Sequence, residues 1–203
     1  MKIAAVTPLI GAEVSGIDLR DLSNNEFGAL RDAFTRHSVL FFRDQGLLQP
    51  DEQVAFARRL GPLHTHPAAP THQGHPDVFV IHVHKESKVA NGNGWHTDVS
   101  CDEEPPLATM LQLHILPETG GDTLFASMTA AYEALSPGMQ TLLGGLGAVF
   151  TASKVHGAAG LYKNADHPMT MKGDTVRAEA RFVHPVVRTH PDTGRKGIFL
   201  DPP

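Results

Sequence analysis

The stretch Trp95-His96-Thr97-Asp98 holds the residue types in this chain best suited to chemistry. In extended backbone, residues two apart point to the same side, so the imidazole at 96 and the carboxylate at 98 converge on one point. Such a pair suits divalent iron. A second histidine from elsewhere would complete a facial triad with positions left open for oxygen chemistry. Taken alone, His-x-Asp is more often the polar edge of a strand. The chain carries 13 histidines, an excess that favours metal or proton chemistry, although most histidines are structural or solvated. Cys101 is the only cysteine, which excludes an internal disulfide and a thiolate zinc cluster.

Further along stands Gly120-Gly121-Asp122-Thr123, after an apolar stretch and Pro117. Two glycines permit a tight backbone there, and the Thr123 hydroxyl can then face a ligand carboxylate. By itself the motif is a glycine turn entering a strand. Gly144-Gly145-Leu146-Gly147 follows a helical pattern rather than a strand, so it is not a dinucleotide loop.

The elements that must position these residues can be read from periodicity and punctuation. Ser23-Asn24-Asn25-Glu26 is a capping box. Phe27, Leu30, Ala33 and Phe34 follow at helical spacing, which predicts an amphipathic helix to about His37. Residues 38–42 are a short β-rich run, and Pro50 opens a second helix that Gly61 stops. Strands are expected at 78–83, 108–116, 123–125, 182–189 and 198–200. Ser136-Pro137 starts a short helix, and His190-Pro191-Asp192-Thr193-Gly194 turns a hairpin over 182–200. The small and polar stretch 152–178 is expected to be a mobile loop of the kind that covers active sites. Many strands with helices gathered toward the N-terminus imply a mostly β fold with flanking helices, a sandwich or barrel at its core.

Composition sets the outer limits. A chain of 203 residues suits one domain, and 41% hydrophobic with 19% charged residues is ordinary for a globular protein. A net charge of −5 gives no reason to expect nucleic acid or an anionic membrane as partner. No apolar run is long enough to span a bilayer, so a soluble, cytoplasmic protein is expected.

Several segments together resemble the TauD (taurine dioxygenase) family of Fe(II)- and 2-oxoglutarate-dependent dioxygenases. They are Ile10-Gly-Ala-Glu-Val-Ser-Gly-Ile-Asp-Leu19, Val39-Leu-Phe-Phe-Arg-Asp-Gln45, Trp95-His-Thr-Asp98, Gly120-Gly-Asp-Thr123, Ala130-Ala-Tyr-Glu-Ala-Leu135 and His184-Pro-Val-Val-Arg-Thr-His-Pro191. They stand in family order and cover nearly the whole chain. The resemblance implies a double-stranded β-helix (jelly-roll, cupin-like) core and hydroxylation of a small anionic organic acid of the sulfonate, sulfate ester or aryloxyalkanoate type. Succinate and CO2 would be released, with Fe(II), 2-oxoglutarate and O2 taking part. It makes His96 and Asp98 the first two iron ligands and Thr123 the residue at the 2-oxoglutarate carboxylate. His66, Gly92 and Phe199 become substrate-pocket positions, and His184 and His190 structural residues of the hairpin. No nucleic acid or membrane partner is implied; a homo-oligomer is compatible.

Against the family pattern, two pocket aromatics correspond to Ala69 and Ala152, which points to a substrate bulkier than taurine. The resemblance also places the distal iron-binding histidine and the arginine that pairs with 2-oxoglutarate beyond Pro203. The chain is therefore expected to be a C-terminally truncated TauD-like domain over 1–203: a fragment of a longer protein, a natural truncation, or a chain completed by a partner. The rival expectations are a truncated, non-catalytic anion- or metal-binding relative and a zinc hydrolase using the same ligands.

Overall fold

The computed structural model describes residues 1–66, 71–83, 94–156 and 179–201. These contain β1 (Lys2–Ala5), β2 (Ala12–Ser15), α1 (Asn24–His37), β3 (Leu40–Phe42), α2 (Pro50–Arg58), β4 (Thr71–His72), β5 (His75–Phe79), α3 (Met128–Glu133), α4 (Pro137–Gly144), β6 (Gly147–Phe150), α5 (Ser153–His156), β7 (Phe182–Pro185), β8 (Val187–Thr189) and β9 (Lys196–Ile198). Contacts divide the chain into two compact units. The first comprises Met1–Leu60, Met110–Gly145 and Val187–Phe199; the second comprises Gly61–Thr109, Leu146–Val186 and Leu200–Pro203.

In the first unit, β2 pairs antiparallel with β1 and parallel with β3. A parallel pair needs a long crossover, and α1 supplies it. This helix starts where the capping box predicts: Glu26 N donates to Ser23 Oγ at 3.3 Å, and Ser23 N donates to Glu26 Oε2 at 3.0 Å. It stops at Ser38, whose φ of 63° turns the chain into left-handed backbone. That turn is why β3 begins at Leu40 and not at the start of the apolar run. Val14, Leu19, Leu30, Leu48 and Phe56 form the buried cluster, with Phe27 and Phe42 each presenting a ring edge to Phe56 at 6.3 Å. Burying side chains of this size contributes on the order of 1.5–3 kcal/mol each.

Gln112 ties a distant segment to this cluster. Its Oε1 accepts from Leu48 N at 2.9 Å, and its Nε2 donates to Leu48 O at 3.1 Å. Elsewhere in the unit, β8 and β9 form the expected hairpin, closed by Gly194 N donating to His190 O at 2.9 Å. α3 packs on β9 so closely that a Cβ at Gly197 would lie 3.5 Å from the Met128 and Thr129 backbone. Arg195 clamps the contact through a two-pronged pairing with Glu133, with shortest approaches of 2.9 Å. α4 opens at Ser136-Pro137 as predicted.

In the second unit, β4 and β5 form one antiparallel pair and β6 and β7 another, with Phe150 and Val186 buried. All five strand expectations need correction. The strand expected over 182–189 is two, because β7 pairs with β6 whereas β8 pairs with β9. The strand expected over 78–83 lies earlier, at β5. Residues 108–116 and 123–125 form no ladder, and the strand expected at 198–200 contributes only its first residue, to β9. Within 108–116, Met110 packs on the cluster while Leu111 and Leu113 are exposed. Among the described residues, however, no partner strand takes up the backbone groups of this segment. The described strands form four separate sheets of three, two, two and two strands. Most of the loop expected at 152–178 lies outside the described residues, and its first residues form α5.

Candidate metal-binding site

His96 and Asp98 belong to the second unit and do come together: His96 Nε2 stands 3.2 Å from Asp98 Oδ1. Contacts on either side of the pair hold it. The segment is not a strand. Instead the imidazole folds back so that Nδ1 lies 2.9 Å from Gly94 O. A carbonyl oxygen only accepts, so Nδ1 carries the proton, and in the neutral ring Nε2 presents a lone pair. On the other side, Asp98 Oδ2 accepts the Thr109 hydroxyl at 2.7 Å, which leaves Oδ1 aimed at His96.

At this distance the two atoms either share a proton as an ion pair or, with the ring neutral, both present lone pairs to a cation. Ligands about 2.1 Å from one ion and at right angles stand about 3 Å apart. The pair thus fits two adjacent corners of a metal's coordination shell. The outer hydrogen bonds are those that orient metal-binding imidazoles and carboxylates. Both side chains are 47% exposed, so the pair is open to an incoming ion or substrate. Among the described residues no group of three or more His, Cys, Asp or Glu gathers around one point.

Beyond the pair, the chain turns sharply. Ser100 N donates to Thr97 O at 3.3 Å and Asp102 N to Val99 O at 3.1 Å, with Val99 at a φ of 50°. The far end of this turn is held twice. His64 Nε2 lies 2.7 Å from Asp102 Oδ2, and buried His184 donates from Nε2 to Asp102 O at 2.9 Å. His184 also packs edge-on against Phe150, with ring centroids 5.2 Å apart. His190 accepts from Asp192 N at 3.2 Å through Nδ1, inside the hairpin turn.

The remaining candidates belong to both units. His66, also in the second unit, packs against Phe79 and His156 with centroid separations of 5.6 and 6.0 Å. Thr123 and Phe199 belong to the first unit. Thr123 is exposed, after Gly120 and Gly121 with φ of 74° and 76°, values that favour glycine at both positions. Phe199 is half-buried beneath the Arg188 guanidinium, 4.6 Å from its ring centroid. Gly92 and Ala69 lie outside the described residues. Ala152 opens α5, its carbonyl accepting from Val155 and His156 at 3.0 and 2.8 Å. Sequence reading missed Thr109, Ser100, Asp102 and Asp201. Nothing in their spacing marks them, because each acts through a contact that only folding creates.

Residues 2–203 match the family described as taurine catabolism dioxygenase TauD, TfdA family. The chain belongs to the TauD/TfdA family. An alkylsulfatase of Acinetobacter baylyi is 34% identical over 98% of this chain and 62% of its own length. The alpha-ketoglutarate-dependent 2,4-dichlorophenoxyacetate dioxygenase of Cupriavidus pinatubonensis is 33% identical over 95% of this chain and 70% of its own. In structure, the chain superposes on a taurine dioxygenase from Burkholderia xenovorans with a TM-score of 0.77 at 30% identity, covering 99% of this chain and 64% of that one. The TauD/TfdA fold, a cupin-like one, is therefore the fold of this chain. Set against these relatives, the chain spans about two thirds of each one's length.

Proposed function

We propose that this protein is an Fe(II)- and 2-oxoglutarate-dependent dioxygenase that hydroxylates a small anionic organic acid. The observation that carries the reading is the His96–Asp98 pair at 3.2 Å, its outer atoms held by Gly94 O and the Thr109 hydroxyl, in a chain of the TauD/TfdA family. His96 Nε2 and Asp98 Oδ1 are the atoms that would hold iron. When bound, iron of this kind supplies oxygen activation coupled to the oxidative decarboxylation of 2-oxoglutarate, giving succinate, CO2 and a hydroxylated substrate.

The residues of this chain have separate tasks. The Gly94 carbonyl keeps the His96 proton on Nδ1, so that Nε2 stays a ligand. Thr109 turns Asp98 so that a single oxygen faces His96. The Thr123 hydroxyl, on its double-glycine turn, donates to a 2-oxoglutarate carboxylate. His66, Gly92 and Phe199 line the substrate position, with His66 giving a donor to an anionic head group. Sulfonates, sulfate esters and aryloxyalkanoates share such a head, and the names of the relatives span these three classes. Alanines at 69 and 152, where taurine enzymes carry aromatics, leave volume for a substrate bulkier than taurine. A jelly-roll core completes the reading.

The test is an anaerobic titration of the full-length protein with Fe(II) and 2-oxoglutarate, followed by a screen for succinate release in air. A visible charge-transfer band, abolished in His96→Ala, and succinate formed in step with an alkyl sulfate or aryloxyalkanoate are expected. Folded protein with no band and no succinate would leave the rival reading, a non-catalytic anion- or metal-binding relative. Oxygen-independent hydrolysis with zinc would replace both. Clear preference for taurine over larger acids would remove the bulky-substrate assignment.

A further inference from the structure

Thr97, the residue between the two proposed ligands, is anchored through its main chain. Its N–H donates to Asp201 Oδ1 at 3.3 Å, and Ser100 Oγ donates to Asp201 Oδ2. One carboxylate, 104 residues along the chain from Thr97, therefore grips two points of the turn that carries His96 and Asp98. The turn needs such a grip. Val99 at a φ of 50° is a β-branched residue in left-handed backbone, a conformation that persists only where surrounding contacts over-determine it. Ser100 is only 4% exposed, so without Asp201 its hydroxyl would lose its acceptor in a place water does not readily reach.

Resting on the reading of His96 and Asp98 as metal ligands, we propose that Asp201 is the positioning residue of that pair. It touches neither ligand. Through the Thr97 amide it holds the peptide between His96 and Thr97, and through the Ser100 hydroxyl it holds the residue whose N–H donates to Thr97 O on the Asp98 side. The peptides on either side of Thr97 set where the imidazole and the carboxylate point. The His64–Asp102 and His184–Asp102 bonds hold the far end of the same turn, so Asp201 governs the end that carries the ligands.

The experiment uses the full-length protein in metal-free form, with Mn(II) as probe and free ion counted by electron paramagnetic resonance. Asp201→Ala is expected to weaken Mn(II) binding about ten-fold, the low end of the cost of losing a group bonded directly to a ligand, because it acts on the pair only through the main chain. Hydrogen exchange at the Thr97 amide should accelerate about ten-fold or more, and the nitrogen resonances of the metal-free His96 ring should shift. Asp201→Asn keeps an acceptor for Thr97 and offers a donor to Ser100 Oγ, so it should restore all three readouts; a purely electrostatic role would not be rescued. Folded Asp201→Ala with wild-type Mn(II) affinity would overturn the proposal, as would unchanged exchange at Thr97. Wild-type protein that binds no Mn(II) would overturn the metal reading instead. In that case, His96 resonances that move in Asp201→Ala would still support the positioning role, and resonances that stay would end it.

Discussion

The two compact units are held together by different kinds of interaction. In the first, the buried side chains are apolar: Ala12, Val14, Leu19, Leu30, Ala33, Leu48 and Phe56. Among the described residues of the second, the buried ones include two that are polar, Ser100 and His184, beside Phe150 and Val186. Non-directional burial tolerates small shifts, whereas a polar network holds each atom to a distance and an angle. The unit that carries His96 and Asp98 has directional contacts among its buried residues as well. A site that must present two donor atoms about 3 Å apart gains from that, since the productive geometry tolerates displacements of only about 0.5 Å.

The contrast can be broken by substitution. Phe56→Ala should have the largest effect on the fold, costing about 3–5 kcal/mol in urea unfolding because it leaves a cavity between Phe27 and Phe42. A loss below about 1 kcal/mol would mean that the apolar cluster does not dominate its unit. His96→Ala should do the opposite. It should weaken Mn(II) binding more than about a hundred-fold while the melting temperature stays within about 2 °C, since the side chain is 47% exposed. A large drop in melting temperature would make the pair structural. Thr109→Val removes one hydroxyl from Asp98 and should cost about ten-fold in Mn(II) affinity, again with little change in stability. Unchanged affinity would show that Asp98 needs no orienting partner.

The same contrast explains what could be read from the sequence. α1, α2 and α4 were legible because their caps and prolines, Ser23, Glu26, Pro50 and Ser136-Pro137, lie within a few residues of the helices they start. The hairpin turn at 190–194 was legible for the same reason. The strand expected over 108–116 failed because an apolar run specifies no partner strand. The convergence of His96 and Asp98 was anticipated from their spacing, but the contacts of the Gly94 carbonyl and the Thr109 hydroxyl that hold it were not. Asp201 lay out of reach of any local reading, since a contact across 104 residues leaves no spacing to notice.

The smallest effect expected concerns the capping box and its dependence on pH. Ser23→Ala should cost about 1 kcal/mol at neutral pH, the usual contribution of an N-cap. Donation from the Ser23 hydroxyl and backbone N–H holds the Glu26 carboxyl below its ordinary value of 4.5, outweighing a small opposing effect of burial. A folded-state pKa lower than the unfolded one means that the unfolded chain binds the proton more readily. The stabilisation is therefore fully present above the ordinary carboxylate range and is lost as pH falls through the folded value. Hence the difference in stability between wild type and Ser23→Ala should be constant from neutral pH down to about 5.5 and then narrow on further acidification. A difference that widens in acid would reverse the assigned sign, and one independent of pH would mean that the Ser23 hydroxyl caps the Glu26 backbone without engaging its carboxylate. Because this box lies in the unit held by apolar burial, Mn(II) affinity should be the same in Ser23→Ala as in wild type. A change there would show that the two units are energetically coupled.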